Sequence, residues 1–274
     1  MSPTTVRRRP VAGYAVVLLG LLVAGLSYAA ITSAGAATTT PRSLSGNAQL
    51  AMGRHIFLQE CASCHGLFAQ GVQGIAPSLI GVGSAAVDFQ VSTGRMPAKE
   101  PAEENPRRSL PKSTDQIHDP QQIRALAAYI QSLGGGPTIP TRAEVSQAGA
   151  NYGLGQQLFT ADCAQCHNFD GAGGALTYGK YAPALTKSTP TQIFEAMLTG
   201  PEAMPVFNNT TITPQQKRDI IAYVIQTRNQ PNPGGFSLGR VGPVTEGLVV
   251  FLGMLLFMVL AALWITAKHG KAPE

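Results

Sequence analysis

An all-α fold, with two small helical domains in tandem and transmembrane helix anchors, follows from three features of the sequence. Cys61-Ala62-Ser63-Cys64-His65 recurs about a hundred residues on as Cys163-Ala164-Gln165-Cys166-His167. The flanks of the two motifs match block for block, which marks a duplicated unit. An uncharged apolar run long enough to cross a bilayer lies near each end of the chain.

C-x-x-C-H reads as a c-type haem attachment site. The spacing suits the chemistry. Two thiols one helical turn apart can form thioethers to the two vinyl groups of one haem, and the next residue supplies an imidazole to the iron. A lone C-x-x-C also fits a redox dithiol or half a zinc site. The adjacent His, the duplication and the confinement of all 4 cysteines to the motifs favour haem. The sequence therefore predicts two covalently bound haem c groups.

With 274 residues the chain is long enough for two small domains. No cysteine is left for a structural disulfide. An extracytoplasmic setting is instead expected from haem attachment, which takes place outside the bacterial cytoplasmic membrane. The net charge is +5, but residues 37–246 hold 15 Lys and Arg against 14 Asp and Glu. The excess sits at the ends, in Arg7, Arg8, Arg9, Lys268 and Lys271. That is the pattern of membrane flanks, and no nucleic-acid partner is expected.

Residues 1–10 form a basic, cytoplasmic start. Residues 11–36 are apolar and fit either a retained transmembrane helix or a signal peptide with its cleavage site at Ser33-Ala34-Gly35-Ala36; the length favours the helix. A Thr/Ser/Pro-rich linker, 37–47, leads to the first domain, 48–136. A second linker, 137–149, opens after Gly134-Gly135-Gly136 and precedes the second domain, 150–230. In both domains a lead-in helix places Gly eight residues and Phe four residues before the first Cys (Gly53 and Phe57; Gly155 and Phe159). Ala76-Pro77-Ser78-Leu79 matches Ala182-Pro183-Ala184-Leu185, and a Met-Pro pair follows in each, at Met96 and Met204. A closing helix carries Tyr129 or Tyr223. A Gly/Pro linker, 231–246, ends in a second transmembrane helix, 247–267, and a basic cytoplasmic tail, 268–274. The domains differ in a polar, proline-rich insertion after Met96, residues 98–120. It reads as a solvated loop, with a docking surface for a neighbouring subunit as the sharper alternative.

The candidate haem-binding residues are Cys61, Cys64, His65 and Met96 in the first domain, and Cys163, Cys166, His167 and Met204 in the second. His65 and His167 are the proximal iron ligands in this reading. Met96 and Met204, each on a loop before the last helix, are the sixth ligands. Met197 is a rival, but its helical surroundings fit a core position, and Met52 is read as packing. His55 is placed at the surface, His118 in the solvated insertion and His269 at the membrane edge. Pro77 and Pro183 are expected to hold the proximal imidazoles through their carbonyls. With His and Met on both faces the iron has no open position, which suits one-electron transfer.

These elements together resemble class I cytochrome c domains. The whole chain resembles the dihaem cytochrome c subunit of the actinobacterial cytochrome bcc complex, a menaquinol–cytochrome c reductase. Pro77-Ser78-Leu79-Ile80-Gly81-Val82-Gly83, Phe89 to Pro97, Gly179-Lys180-Tyr181-Ala182-Pro183 and the helix after Gly242 carry that resemblance. It implies a cytochrome b subunit and a Rieske iron–sulfur subunit as partners. It also implies a supercomplex with a haem-copper cytochrome c oxidase, and a cell-membrane location with the haem domains on the extracytoplasmic face. The alternative is an independent membrane-anchored dihaem shuttle. A dihaem peroxidase needs a displaceable ligand, so the two Met residues count against it.

Overall fold

The structure, a computed structural model, describes residues 10–35, 46–101, 105–108, 119–231, 238 and 243–269. The basic start, His118 and Lys271 lie outside the described residues. Helix α1, Pro10–Gly35, belongs to a unit of its own. Its described side chains, across the apolar stretch Gly13–Tyr28, are exposed.

The other described residues are mainly helical around two separate cores, with one two-stranded pair and an isolated bridge among them. In the first, α2 (Gly46–Glu60) crosses α5 (Pro120–Gln131), and α3 (Ala62–His65) and α4 (Gly83–Ser92) pack beside them. The second repeats the plan with α6 (Tyr152–Asp162) on α9 (Pro214–Asn229), flanked by α7 (Ala164–His167) and α8 (Pro190–Thr199). It adds a short antiparallel pair, β1 (Gly174–Ala175) with β2 (Tyr181–Ala182).

The repeated Gly and Phe account for the helix crossings. A Cβ on Gly53 would land on the Ala125 carbonyl of α5, and one on Gly155 on the Asp219 carbonyl of α9. Only hydrogen leaves room for backbones this close. One turn on, Phe57 meets Tyr129 with ring centroids 5.5 Å apart, and Phe159 meets Tyr223 at 5.2 Å. These tilted pairs anchor each crossing beyond their area burial. Caps fix the helix starts. Asp119 accepts from Gln121 N at α5, Asn151 from Leu154 N at α6, and Thr189 and Thr213 build capping boxes with Gln192 and Gln216.

The two halves touch through α4 and α8. Gln192 Nε2 donates to Ser92 Oγ at 3.2 Å. The Asp88 carboxyl on α4 lies close to the Glu195 carboxyl on α8, where Glu195 is fully buried and its two oxygens have no hydrogen-bond partner among the described residues. Burial, then the Asp88 charge, raises the Glu195 pKa. Burial also raises that of Asp88, partly offset by Glu195 and by Arg124. The folded chain therefore keeps a proton that the unfolded chain releases above the ordinary carboxylate range, and stability falls as pH rises from there. Glu195→Gln keeps a donor and removes the titration. Its melting temperature should exceed the parent's by a margin that grows from about pH 5 to about pH 8, at most about 1.4 kcal/mol per pH unit. A margin independent of pH would contradict the raised Glu195 pKa.

The segment between the cores is a bonded strap. Ala85 N donates to Pro137 O at 3.0 Å, Ile139 N to Ser84 Oγ at 3.2 Å, and Arg218 Nε to Ser146 O at 3.1 Å. Within the insertion, Arg108 grips the Met96 loop by donating from Nε to Gly94 O at 2.9 Å. Asn105 N reaches the second half, donating to Glu202 Oε1 at 2.8 Å.

Helix α10, Pro243–His269, contains a 23-residue span, Thr245–Ala267, of mean hydropathy 2.9 and with none of its apolar window buried in the protein. Phe251, Phe257 and Trp264 are exposed. Thr266 returns its hydroxyl to Ala262 O at 3.0 Å, so this polar side chain is satisfied within the helix.

Candidate functional site

Each C-x-x-C-H is wound the same way. Cys61 and Cys163 both have φ −120° and ψ −34°, a break at which the lead-in helix ends and a one-turn helix begins. Their amides still bond back to the preceding Phe, at 2.9 Å to Phe57 O and 2.9 Å to Phe159 O. His65 N and His167 N bond to Cys61 O and Cys163 O, each at 2.9 Å. The core Phe thus fixes the motif, and the motif fixes the His.

The imidazoles are almost wholly buried, and each is held at one nitrogen. His65 Nδ1 donates to Pro77 O at 2.8 Å, and His167 Nδ1 to Pro183 O at 3.0 Å. These are the carbonyl contacts expected from the sequence. They fix the tautomer and leave Nε2 as a free lone pair. Burial lowers the His167 pKa and the Pro183 bond raises it only in part, so the ring stays neutral and able to ligate.

The thiols behave unlike a redox pair. Burial pushes Cys61 up to about 12, helped by the Glu60 charge and by Cys64. It does the same for Cys163, pushed up to about 12, with Asp162 and Cys166 adding. An attacking thiolate needs the opposite shift. The two motifs also line two different cavities, so they do not join into one four-thiolate zinc site.

One cavity brings together Cys61, Cys64, His65 and Met96, and the other Cys163, Cys166, His167 and Met204. Each therefore gathers two thiols, an imidazole and a thioether within apolar walls, a donor set that fits one covalently attached haem. Met197 is buried among Phe159, Ile193 and Ile220 as well as bordering the second cavity. Met52 packs on the first core, and His55 is exposed. Sequence reasoning missed the contribution of the first half to the second cavity, where Phe89, Thr93, Arg95 and Arg107 form part of the wall. The available signal was that Arg95 precedes Met96 whereas Ala203 precedes Met204.

The helix crossing and the donor set define each half as a c-type cytochrome domain. Residues 50–134 match the family model "Cytochrome c", and residues 150–224 match "Cytochrome C oxidase, cbb3-type, subunit III". The chain is 44% identical over 266 residues to the cytochrome bc1 complex cytochrome c subunit of Mycobacterium tuberculosis, covering 95% of this chain and 92% of that protein. The like-named subunit of Corynebacterium efficiens is 40% identical over 275 residues, with 95% and 90% covered. That of Mycobacterium leprae is 45% identical over 227 residues, with 81% and 76% covered. The chain belongs to this actinobacterial family of cytochrome bc1 complex cytochrome c subunits.

Proposed function

We propose that this chain is the dihaem electron relay of a respiratory quinol–cytochrome c reductase. In this reading it works beside a cytochrome b subunit, accepts electrons from a Rieske iron–sulfur subunit and passes them to a haem-copper cytochrome c oxidase in a supercomplex. The haem domains stand on the extracytoplasmic face of the cell membrane, anchored by α10, with residues 11–36 either a second transmembrane helix or a signal peptide. The observation that carries the proposal is the pairing of two equivalent donor sets on one chain of this family.

A covalently bound haem supplies a one-electron couple that needs no substrate site. The protein's part is positional. Cys61, Cys64, Cys163 and Cys166 tether the porphyrin edges, and His65 and His167 present Nε2 with the ring orientation set by the proline carbonyls. Met96 and Met204 would supply the thioether donors, which would favour reduced iron relative to a second imidazole and leave no open coordination position. Phe57, Val87 and Leu126 around the first site, and Phe159, Ile193 and Ile220 around the second, keep the surroundings apolar. Little polar reorganisation then accompanies each electron.

Met96→His and Met204→His test the ligand assignment. Each should retain haem and lower the potential of one wave in a redox titration by on the order of a tenth of a volt or more, within the wide span that axial ligands command. An unchanged potential would remove that Met from the iron.

A further inference from the structure

Helix α4 has a cavity on each side. Val87, Gln90 and Val91 line the one with His65, while Phe89 and the capping residue Thr93 line the one with His167. The division continues along the chain, since Arg95 borders the second cavity and Met96 the first. A single helix, about 10 Å across, therefore forms the partition between the two sites.

Arg95 is the unusual member of this partition. It is 5% exposed, and its Nε has no hydrogen-bond partner among the described residues. Its guanidinium lies over the Phe89 ring, 4.9 Å from the centroid. Among the described residues it pairs with the anion Glu202, with Oε1 3.6 Å from Nε, too long for a hydrogen bond. Glu202 itself already accepts from Asn105 N. A buried guanidinium usually holds a carboxylate in a bidentate fork, and this one borders an apolar cavity with that capacity unspent. Arg107, exposed and on the insertion, lines the same cavity.

We propose that Arg95, from the Met-bearing loop of the first domain, is a binding residue for the carboxylate side chains of the haem in the second domain. The first domain thereby completes the second haem site and sets its potential. The inference rests on the haem reading of the cavities. Its consequence is directional. A fixed positive charge near the second haem stabilises the reduced, less positive iron, so the second couple is raised relative to the first. Glu202, paired with Arg95 at 3.6 Å, works against it. At a separation near 10 Å and an effective dielectric constant near 20, one charge changes the electron-sharing equilibrium by about tenfold.

The test uses the full chain in its complex, with the wave of the second haem identified by its displacement in Met204→His. Arg95→Gln should lower that wave by about 59 mV, the one-electron equivalent of tenfold. Arg95→Lys, which keeps the charge, should recover most of it. Arg107→Gln, at an exposed position where folding is not at issue, should shift the same wave downward by less. Glu202→Gln should shift it upward. If the second haem binds and its wave stays in place in all four variants, or if only the first wave moves, the proposal is overturned. If the second domain binds no haem at all, the haem reading itself fails, and a pigment count distinguishes that result.

Discussion

Gly155→Ala is expected to destabilise the second domain by about 3 kcal/mol or more, and Gly53→Ala the first by a similar amount. The added methyl would sit on the carbonyl of Asp219 or Ala125, backbone that cannot move aside as a flexible side chain can. The helices must separate, which also loosens Phe159 from Tyr223 or Phe57 from Tyr129. Because each Phe carbonyl bonds the amide of the first Cys, the strain passes directly to the haem motif. Thermal melts should show the affected domain unfolding roughly 10 °C or more below the parent. A shift of a degree or two would mean that the crossing is looser than its geometry states.

His167→Ala should remove the six-coordinate, low-spin spectrum of the second haem and leave that of the first. His65→Ala should do the reverse. Among the described residues the substitution deletes the only imidazole bordering that cavity, and it strands Pro183 O or Pro77 O without its donor, at a further cost of about 1–3 kcal/mol. The measurement is a haem count per chain together with the optical spectrum, and free imidazole should restore part of the low-spin signal. Two intact low-spin haems in either variant would rule out these ligands.

The haem motifs, the Gly and Phe spacings and the proline carbonyls were legible because they are local and repeated. Each can be read from residues within one helix or one loop, and the second copy checks the first. The partition between the domains was not legible. Asp88, Ser92, Gln192 and Glu195 look like the polar face of ordinary solvated helices, yet where α4 docks on α8 Gln192 and Glu195 are buried and Asp88 and Ser92 half-buried. The strap at Pro137 and Ile139 reads as a loose Gly/Pro linker, yet its bonds go to residues more than fifty positions away, at Ser84 and Ala85. Helix α2 begins at Gly46, inside the stretch read as linker, and Gln49 Nε2 there donates to Arg124 O of α5 at 3.3 Å. The insertion after Met96 reads as solvated, whereas Arg108 and Asn105 tie part of it to the Met96 loop and to Glu202. None of these long-range bonds leaves a periodic trace in the sequence.

The central claim is that two c-type haems on this chain carry electrons within a larger respiratory assembly. A C-terminally tagged chain, taken from membranes in mild detergent and purified, should show c-type bands together with b-type and a-type bands in a reduced-minus-oxidised spectrum. Rieske and oxidase subunits should be present among the bound proteins, and added quinol should reduce both c-type haems. A preparation containing c-type haem alone, which quinol cannot reduce, would contradict the account and mark the protein as an independent electron shuttle.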